Sequence, residues 1–340
     1  MTRSFKFANT ASVFTPVAVS ADGTRVLPLT RRTIIKSASS PAGVAGAGQV
    51  MLTSDGAKHT AWSLTTGERL CTIDAAAMHF FGDADQLYSF SHNGTLKSYE
   101  IATGREIASA DFPTNQQGGL RFQSISTGSA SRGPLIAIVT EGHKNHIAQI
   151  NRSTLVLKLV DFGDQSGVNI TATRLYTNAS GSASWSFVSL IHREGDRVTL
   201  LRPEGCAGDG IPDATGRYIV SDHHVADTGS TPPRKIPKEN IPGAGGSSKI
   251  RLDMSGRYLL VTETDQETGL IQVSIRKMDA GFTELFKVRC EARIHDGNLR
   301  IISGSNSLVT ALSSNSSLLG VFDLDIPAIH AELAKAPSPN

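Results

Sequence analysis

Two stretches of this chain nearly repeat one another. "AWSLTTGERLCTID" at 61–74 aligns without gaps on "SYEIATGREIASAD" at 98–111, an offset of 37 residues. Trp62 falls on Tyr99, Leu64 on Ile101, Thr66 on Thr103, Gly67 on Gly104, Leu70 on Ile107 and Asp74 on Asp111. A second pair, "DATGRYIVSD" at 213–222 and "DMSGRYLLVT" at 253–262, aligns at an offset of 40, with Asp213 on Asp253 and Gly216-Arg217-Tyr218 on Gly256-Arg257-Tyr258. Two unrelated texts recurring at nearly one spacing point to one structural unit of about 40 residues, the length of a four-stranded propeller blade.

The text between the repeats agrees. Short β-type runs alternate with turn pairs such as Asp22-Gly23, Asp55-Gly56, Asn93-Gly94 and Ser255-Gly256, which supply the positive φ that tight hairpins need. The runs "QVMLTS", "QLYSFS", "LIAIVTE", "SFVSLIH", "RYIVSD", "YLLVTE" and "SLVTALS" begin near 49, 86, 135, 185, 217, 257 and 307. Most are too uniformly apolar for a strand with one wet face and suit strands buried on both, between neighbouring blades. The expected fold is therefore all-β, a seven-bladed β-propeller of four-stranded antiparallel blades. Eight blades is the alternative, the extra one irregular and N-terminal. "VAVSADGTRVLPL" (17–29) and "TIIKSAS" (33–39) lie too close to "QVMLTS" to form a full blade. Because a ring must leave no open edge, part of residues 5–39 is expected to close it, within one propeller domain spanning 1–326. "DIPAIHAELAKA" at 325–336 carries the clearest helical signal, with Asp325 as N-cap and Pro327 in the first turn. Residues 327–340 are read as a short helix and tail.

The repeat unit resembles the WD-repeat family. "SHNGTLKSYEIATGREI" is similar to that family's third-strand segment: a turn Gly, an alternating strand, an aromatic-acidic pair and a Thr-Gly turn into the outer strand. Tyr99-Glu100 stands where the family has Trp-Asp, Trp62-Ser63 keeps the aromatic alone, and Phe322-Asp323 keeps both characters. The family's Gly-His pair before the first strand is missing or hidden. Gly142-His143 follows an apolar run rather than preceding one. The resemblance implies a divergent propeller whose blades are held more by apolar packing than by the family's His–Ser–Trp–Asp network. It also implies a non-catalytic scaffold or adaptor in a multiprotein assembly.

Composition narrows the function classes. Apolar residues make up 39% of the chain and there are 32 glycines, an ordinary globular make-up. A formal net charge of +2 over 340 residues does not force a polyanion partner. The three cysteines, Cys71, Cys206 and Cys290, are far apart with no metal-type spacing; they are read as reduced, partly buried thiols. No apolar run reaches the ~18 residues that span a bilayer, and no secretory h-region is visible. A cytoplasmic or nuclear protein is expected, without membrane insertion.

Candidate chemistry is sparse. His223-His224 with Asp222 and Asp227 is the densest polar cluster, but neighbours on a strand point to opposite faces, which argues against joint ligation. No nucleophile motif, phosphate loop or dinucleotide fingerprint occurs; no cofactor, metal or small-molecule ligand is indicated. The proline- and glycine-rich stretch 226–248 reads as a loop interrupting a blade, with Arg234, Lys235 and Lys238 as candidate partner contacts. Arg121 and Arg132 join them from a second loop-rich region, 114–134. Three cations without interleaved aromatics are a weak nucleic-acid signal, so RNA, as in a ribosome-biogenesis-like assembly, is a secondary expectation beside protein partners. The alternative function is a lactonase-like or glycosidase-like propeller hydrolase with a metal or carboxylate site at the central channel. His79 and Asp253 on innermost-strand candidates would serve it, although no acidic position recurs.

Overall fold

A computed structural model describes residues 15–335 apart from 38, 40, 56, 75–76, 113–120, 143, 162–173, 188, 196, 247, 265–270, 291–299, 303–304 and 313–317. Seven four-stranded antiparallel blades stand around a central channel. From the innermost strand outward, blade 1 is Pro41–Ala45, Val50–Ser54, Lys58–Ser63 and Arg69–Asp74; blade 2 is Ala77–Gly82, Gln86–Ser91, Thr95–Glu100 and Glu106–Asp111. Blade 3 is Arg121–Ser126, Leu135–Glu141, Lys144–Ile150 and Leu157–Leu159; blade 4 is Tyr176–Thr177, Ala183–Ser186, Ser189–Glu194 and Arg197–Leu201. Blade 5 is Ile211–Pro212, Tyr218–Val220, His224–Asp227 and Arg234–Pro237; blade 6 is Lys249–Leu252, Tyr258–Thr264, Ile271–Lys277 and Glu284–Cys290. Blade 7 takes three strands from the C-terminal part, Arg300–Ile302, Ser307–Ala311 and Leu318–Asp323. Its outermost strand, Arg31–Lys36, comes from the N-terminal part. The preceding hairpin, Val17–Ser20 and Val26–Pro28, adds to the outer edge of blade 6.

The apolar runs explain themselves in this arrangement. Buried apolar side chains fall, among the described residues, into seven clusters, one at each interface between successive blades. In the second strand of blade 3, Leu135, Ala137 and Val139 pack toward blade 2, while Ile136 and Ile138 pack toward blade 4. A strand sandwiched between two interfaces needs apolar residues at every position, so its text is continuous rather than alternating. Six of the seven runs are second strands. "SFVSLIH" is the exception: the second strand of blade 4 is Ala183–Ser186, and the run lies mostly in the third. Phe187, with φ of 51°, makes the turn between them where a Gly or Asn would have been recognised.

The repeated glycines mark contacts between blades. Gly67 and Gly104 have φ of 76° and 69°, in the turn between third and outermost strands. A Cβ on Gly67 would lie 2.4 Å from Thr33 Oγ1 in blade 7, and one on Gly104 would lie 3.0 Å from Cys71 Cβ in blade 1. Gly216 and Gly256, from the second repeat, likewise abut the preceding blade, against His192 and Ala214. Positive φ and close backbone approach together restrict these positions to glycine. The aromatic positions also have a local role. Tyr99 Oη hydrogen-bonds Ser89 Oγ at 3.0 Å, and Trp62 Nε1 donates to Thr53 Oγ1 at 3.0 Å, each tying a third strand to the second strand of its own blade.

The helix, Ile326–Ala334, starts at Asp325, whose Oδ1 accepts from Ala328 N at 3.0 Å. Its buried side chains Ile326, Ile329 and Leu333 join the cluster between blades 6 and 7. His330 Nδ1 lies 3.2 Å from Leu285 O on the outermost strand of blade 6.

The register of the closing strand is directly testable. Ile35 is fully buried and Ile34 is 36% exposed, and a one-residue slip would exchange them. Ile35→Ala should lower the unfolding free energy in urea by about 2–5 kcal/mol, against less than ~1 kcal/mol for Ile34→Ala. The reverse ranking would show the strand paired one residue out of register.

Candidate functional site

In a four-stranded meander, the turns between first and second strands lie at the same end as those between third and outermost strands. The remaining connections lie at the other end. The first end is tied together. Gly46 N donates to Asp83 O at 2.8 Å, Ala84 N to Ser131 O at 3.1 Å, and Ala130 N to Ala179 O at 2.8 Å. Asn178 Nδ2 donates to Asp213 O at 3.0 Å, Ala214 N to Gly256 O at 2.9 Å, and Met254 N to Ile301 O at 3.0 Å. These bonds join the first-to-second-strand turns of blades 1 to 6 to the blade that follows each. Ala47 N also reaches Ser129 O, two blades on, at 2.9 Å.

Buried carboxylates shape several of these turns. Asp253 Oδ1 accepts from Arg257 N and Tyr258 N, both at 2.8 Å, and its Oδ2 accepts from Ser255. Asp213 accepts from Tyr218 N at 2.9 Å and from Thr215 Oγ1 at 2.7 Å. Asp83 accepts from Asp85 N, Gln86 N and Tyr88 Oη, and Arg152 of blade 3 pairs with it at 2.6 Å. Asp253 is thus a buried turn-former whose two carboxylate oxygens accept from its own turn. A buried carboxylate satisfied by several donors is costly to disturb.

The opposite end carries the second-to-third-strand turns and the connections between blades. A cavity of about 540 Å³ is lined by innermost strands of blades 4 to 7, by Ala42 of blade 1, by the second-to-third-strand turn of blade 5 and by Leu260, Thr262 and Val273 of blade 6, and it reaches Met254 in the tied turn of blade 6. Lys249 and Arg251 come from blade 6 and Arg300 from blade 7; Asp209, Asp222 and His223 come from blade 5 and its approach. Residues 249 and 251 share a strand face because side chains alternate. Arg251 Nε is 3.6 Å from Asp222 Oδ1, and Arg300 Nη2 donates to Pro41 O at 3.4 Å. Burial, and then the nearby Arg251 charge, lower the Arg300 pKa from its usual value. Of the cavity's apolar lining, Ile250 belongs to the cluster between blades 5 and 6, and Leu260, Val273 and Ile301 to the cluster between blades 6 and 7, while Ile211 is 45% exposed.

The polar cluster of blade 5 diverges. His224 Nδ1 is 2.9 Å from Ser221 Oγ, and burial, then Lys235 and His223, lower its pKa. Asp227 is buried and pairs in two-pronged fashion with Arg217, at 2.9 and 3.0 Å. Asp222 and His223 line the channel cavity. Among the described residues no group of three or more His, Cys, Asp or Glu could hold a metal ion. His79 stands on the innermost strand of blade 2, with its pKa lowered by burial and by His92; His143 falls outside the described residues. All three thiols are free and buried, and burial pushes Cys290 up to about 12.

The five basic candidates do not form one patch. The stretch around Arg234 does not interrupt blade 5 but supplies it, because Arg234–Pro237 is the outermost strand, paired with His224–Asp227. Lys235 Nζ bonds Ala207 O, and Lys238 Nζ donates to Gly246 O and Ser248 O, both at 2.9 Å. Arg234 stays exposed on the rim. Arg121 begins the innermost strand of blade 3, and Arg132, on that blade's next turn, pairs with Asp85 at 3.4 Å. Sequence reasoning missed Lys249, Arg251 and Arg300 because they join only when blades 6 and 7 stand side by side.

No family model and no curated protein matches the sequence. Among solved structures, the chain is similar to the β-propeller domain of Cps50 (Swd1) from Myceliophteria thermophila. The TM-score is 0.54 at 10% identity, over 87% of this chain and all of that one. BamB from Moraxella catarrhalis aligns with a TM-score of 0.43 at 13% identity, over 91% of each chain. The first likeness shows the propeller fold.

The Arg217 hydrogen bonds hold the Asp227 carboxyl below its usual range. A depressed carboxylate adds stability above its unfolded pKa of about 3.9 and loses it as pH falls through the folded value. Urea denaturation from pH 6 to pH 2 should show the wild type's advantage over Asp227→Asn narrowing below about pH 4. A gap independent of pH would remove this pair from the account of acid stability.

Proposed function

We propose that this propeller is a protein-interaction scaffold, a subunit of a larger assembly that engages partners through its rim and faces. The observation that carries the reading is a series of exposed apolar side chains on the outer strands of three successive blades. Ile107 of blade 2 is 42% exposed, Val156 and Leu159 of blade 3 are 63% and 38% exposed, and Leu201 of blade 4 is 51% exposed. Covering such side chains releases about 25 cal/mol per Å², and the outer edges beside them offer free backbone groups for an added strand. Arg234, exposed on blade 5, extends this rim toward a partner with acidic groups; Arg121 and Arg132 serve such a partner elsewhere on the ring. RNA as that acidic partner rests on these same few cations and is the weaker form of the reading. The hydrolase alternative would need converging carboxylates or histidines at the channel. There the innermost strands bring Lys249, Arg251 and Arg300, opposed by Asp209 and Asp222.

Affinity purification from the native cell should recover a stoichiometric protein partner. The double variant Leu159→Glu, Leu201→Glu should lose it while keeping its melting temperature within ~2 °C, since surface changes cost little stability. Recovery of the chain alone, or a partner retained by the variant, would overturn this use of the rim.

A further inference from the structure

We infer that the outermost strand of blade 2, Glu106–Asp111, is the edge of the rim that receives a strand from the partner, and that the strand it receives is an extended segment bearing Lys or Arg. This rests on the scaffold reading and names the contact within it.

An outermost strand presents unpaired N–H and C=O groups to any extended chain that arrives, and folded proteins guard such edges with charge (Lys above all), proline, shortness or a cover. This ring guards every edge but one. The edge of blade 6 is covered by the N-terminal hairpin, whose own outer strand, Val26–Pro28, is three residues long and ends in proline. The edge strands of the other blades carry cations: Arg69 in blade 1, Lys158 in blade 3, Arg197 in blade 4, Arg234 in blade 5, and Arg31 and Lys36 in blade 7. The strand of blade 2 reads EIASAD, six residues with no Lys, Arg or Pro and with small side chains at Ala108, Ser109 and Ala110. Among the described residues no strand pairs with its outer side.

The backbone of this edge is presented in a defined register. Phe112 N donates to Gly94 O at 2.9 Å, and opposed residues of an antiparallel pair alternate between bonded and non-bonded. Ala110 and Ala108 therefore turn their N–H and C=O toward the third strand, and Ser109 and Asp111 turn theirs outward. Charge selects the occupant. Lys97 pairs with Glu106 at 2.8 Å, and Arg105 lies 3.7 Å from Glu100. Asp111 accepts from Thr95 Oγ1 at 2.7 Å and, among the described residues, pairs with no cation. The edge thus keeps a net negative charge at its end. A segment with Lys or Arg opposite Asp111 gains an ion pair there, while the cations on the other edges repel it. The charges that guard those edges steer it to this one.

Amide exchange of the full chain tests the edge itself. Ser109 and Asp111 should exchange as fast as exposed turn amides, with Ala108 and Ala110 protected. Slow exchange at Ser109 and Asp111 would show the edge already covered and overturn the proposal. The binding probes are a labelled hexapeptide alternating Val and Lys and its Val–Glu counterpart, titrated by fluorescence anisotropy at low salt. The lysine peptide should bind about tenfold or more tightly than the glutamate peptide and should slow exchange at Ser109 and Asp111. Ser109→Lys gives this edge the guard its counterparts carry. It should weaken binding of the lysine peptide about tenfold or more and keep the melting temperature, since Ser109 is exposed. Asp111→Asn should remove the preference between the peptides. No binding up to ~1 mM, equal affinity of the two peptides for the wild type, or unchanged affinity in Ser109→Lys would each overturn the proposal. Self-association of the chain that Ser109→Lys abolishes would assign the edge to a second copy and overturn the basic partner. A native partner lost by the Leu159→Glu, Leu201→Glu variant but kept by Ser109→Lys would leave the scaffold reading standing and overturn this edge alone.

Discussion

The structure depends on blades holding one another at their turns. Among the described residues no blade has a core of its own: every apolar cluster is shared between two blades. A four-stranded sheet wet on both faces would not be stable alone, so each blade is folded by its neighbours. Apolar packing is not directional and by itself would let blades slide. Direction comes from the hydrogen bonds that pass from Gly46 to Asp83, Ala84 to Ser131, Ala130 to Ala179 and Ala214 to Gly256. Buried carboxylates such as Asp83 and Asp253 fix the turn shapes that make those bonds possible.

Closure follows from the same logic. Blade 7 has three strands from the C-terminal part and needs a fourth. Arg31–Lys36 supplies it through the pairs Ile34 with Gly320 and Ile35 with Leu319. Thr33 Oγ1 then donates to Thr66 O of blade 1 at 2.9 Å, beside Gly67, one of the repeated glycines. The N-terminal hairpin and the residue after the C-terminal helix meet near blade 6, where Arg25 Nη1 reaches Lys335 O. The turns draw together at one end of the channel, and Lys249, Arg251 and Arg300 line a cavity along the innermost strands of blades 6 and 7.

Much of the fold was legible in the sequence, for a physical reason. Gly67 and Gly104 share a backbone conformation and a near neighbour in the preceding blade, so both positions demand the same residue. The run at 135–139 is apolar throughout because it faces two interfaces. Legibility failed where side chains met the demand in other ways. Phe187 makes a tight turn without glycine, and that hid the second strand of blade 4. Arg234–Pro237 reads as loop because it is charged and contains proline, yet an outermost strand tolerates both at its free edge. The channel cations were invisible for another reason: Arg300 is near in space to Arg251 only because adjacent blades are.

Amide hydrogen exchange at the turns measures the ring most directly. The amides of Gly46, Ala84, Ala130, Ala214 and Met254 each donate across a blade boundary. Exchange at these positions should require the large openings that expose the core strands, with protection close to that of Ile138 and Leu260. Fast exchange there, at the rate of exposed turn amides such as Thr24, would mean that the turns are not joined and that packing alone holds the blades in place.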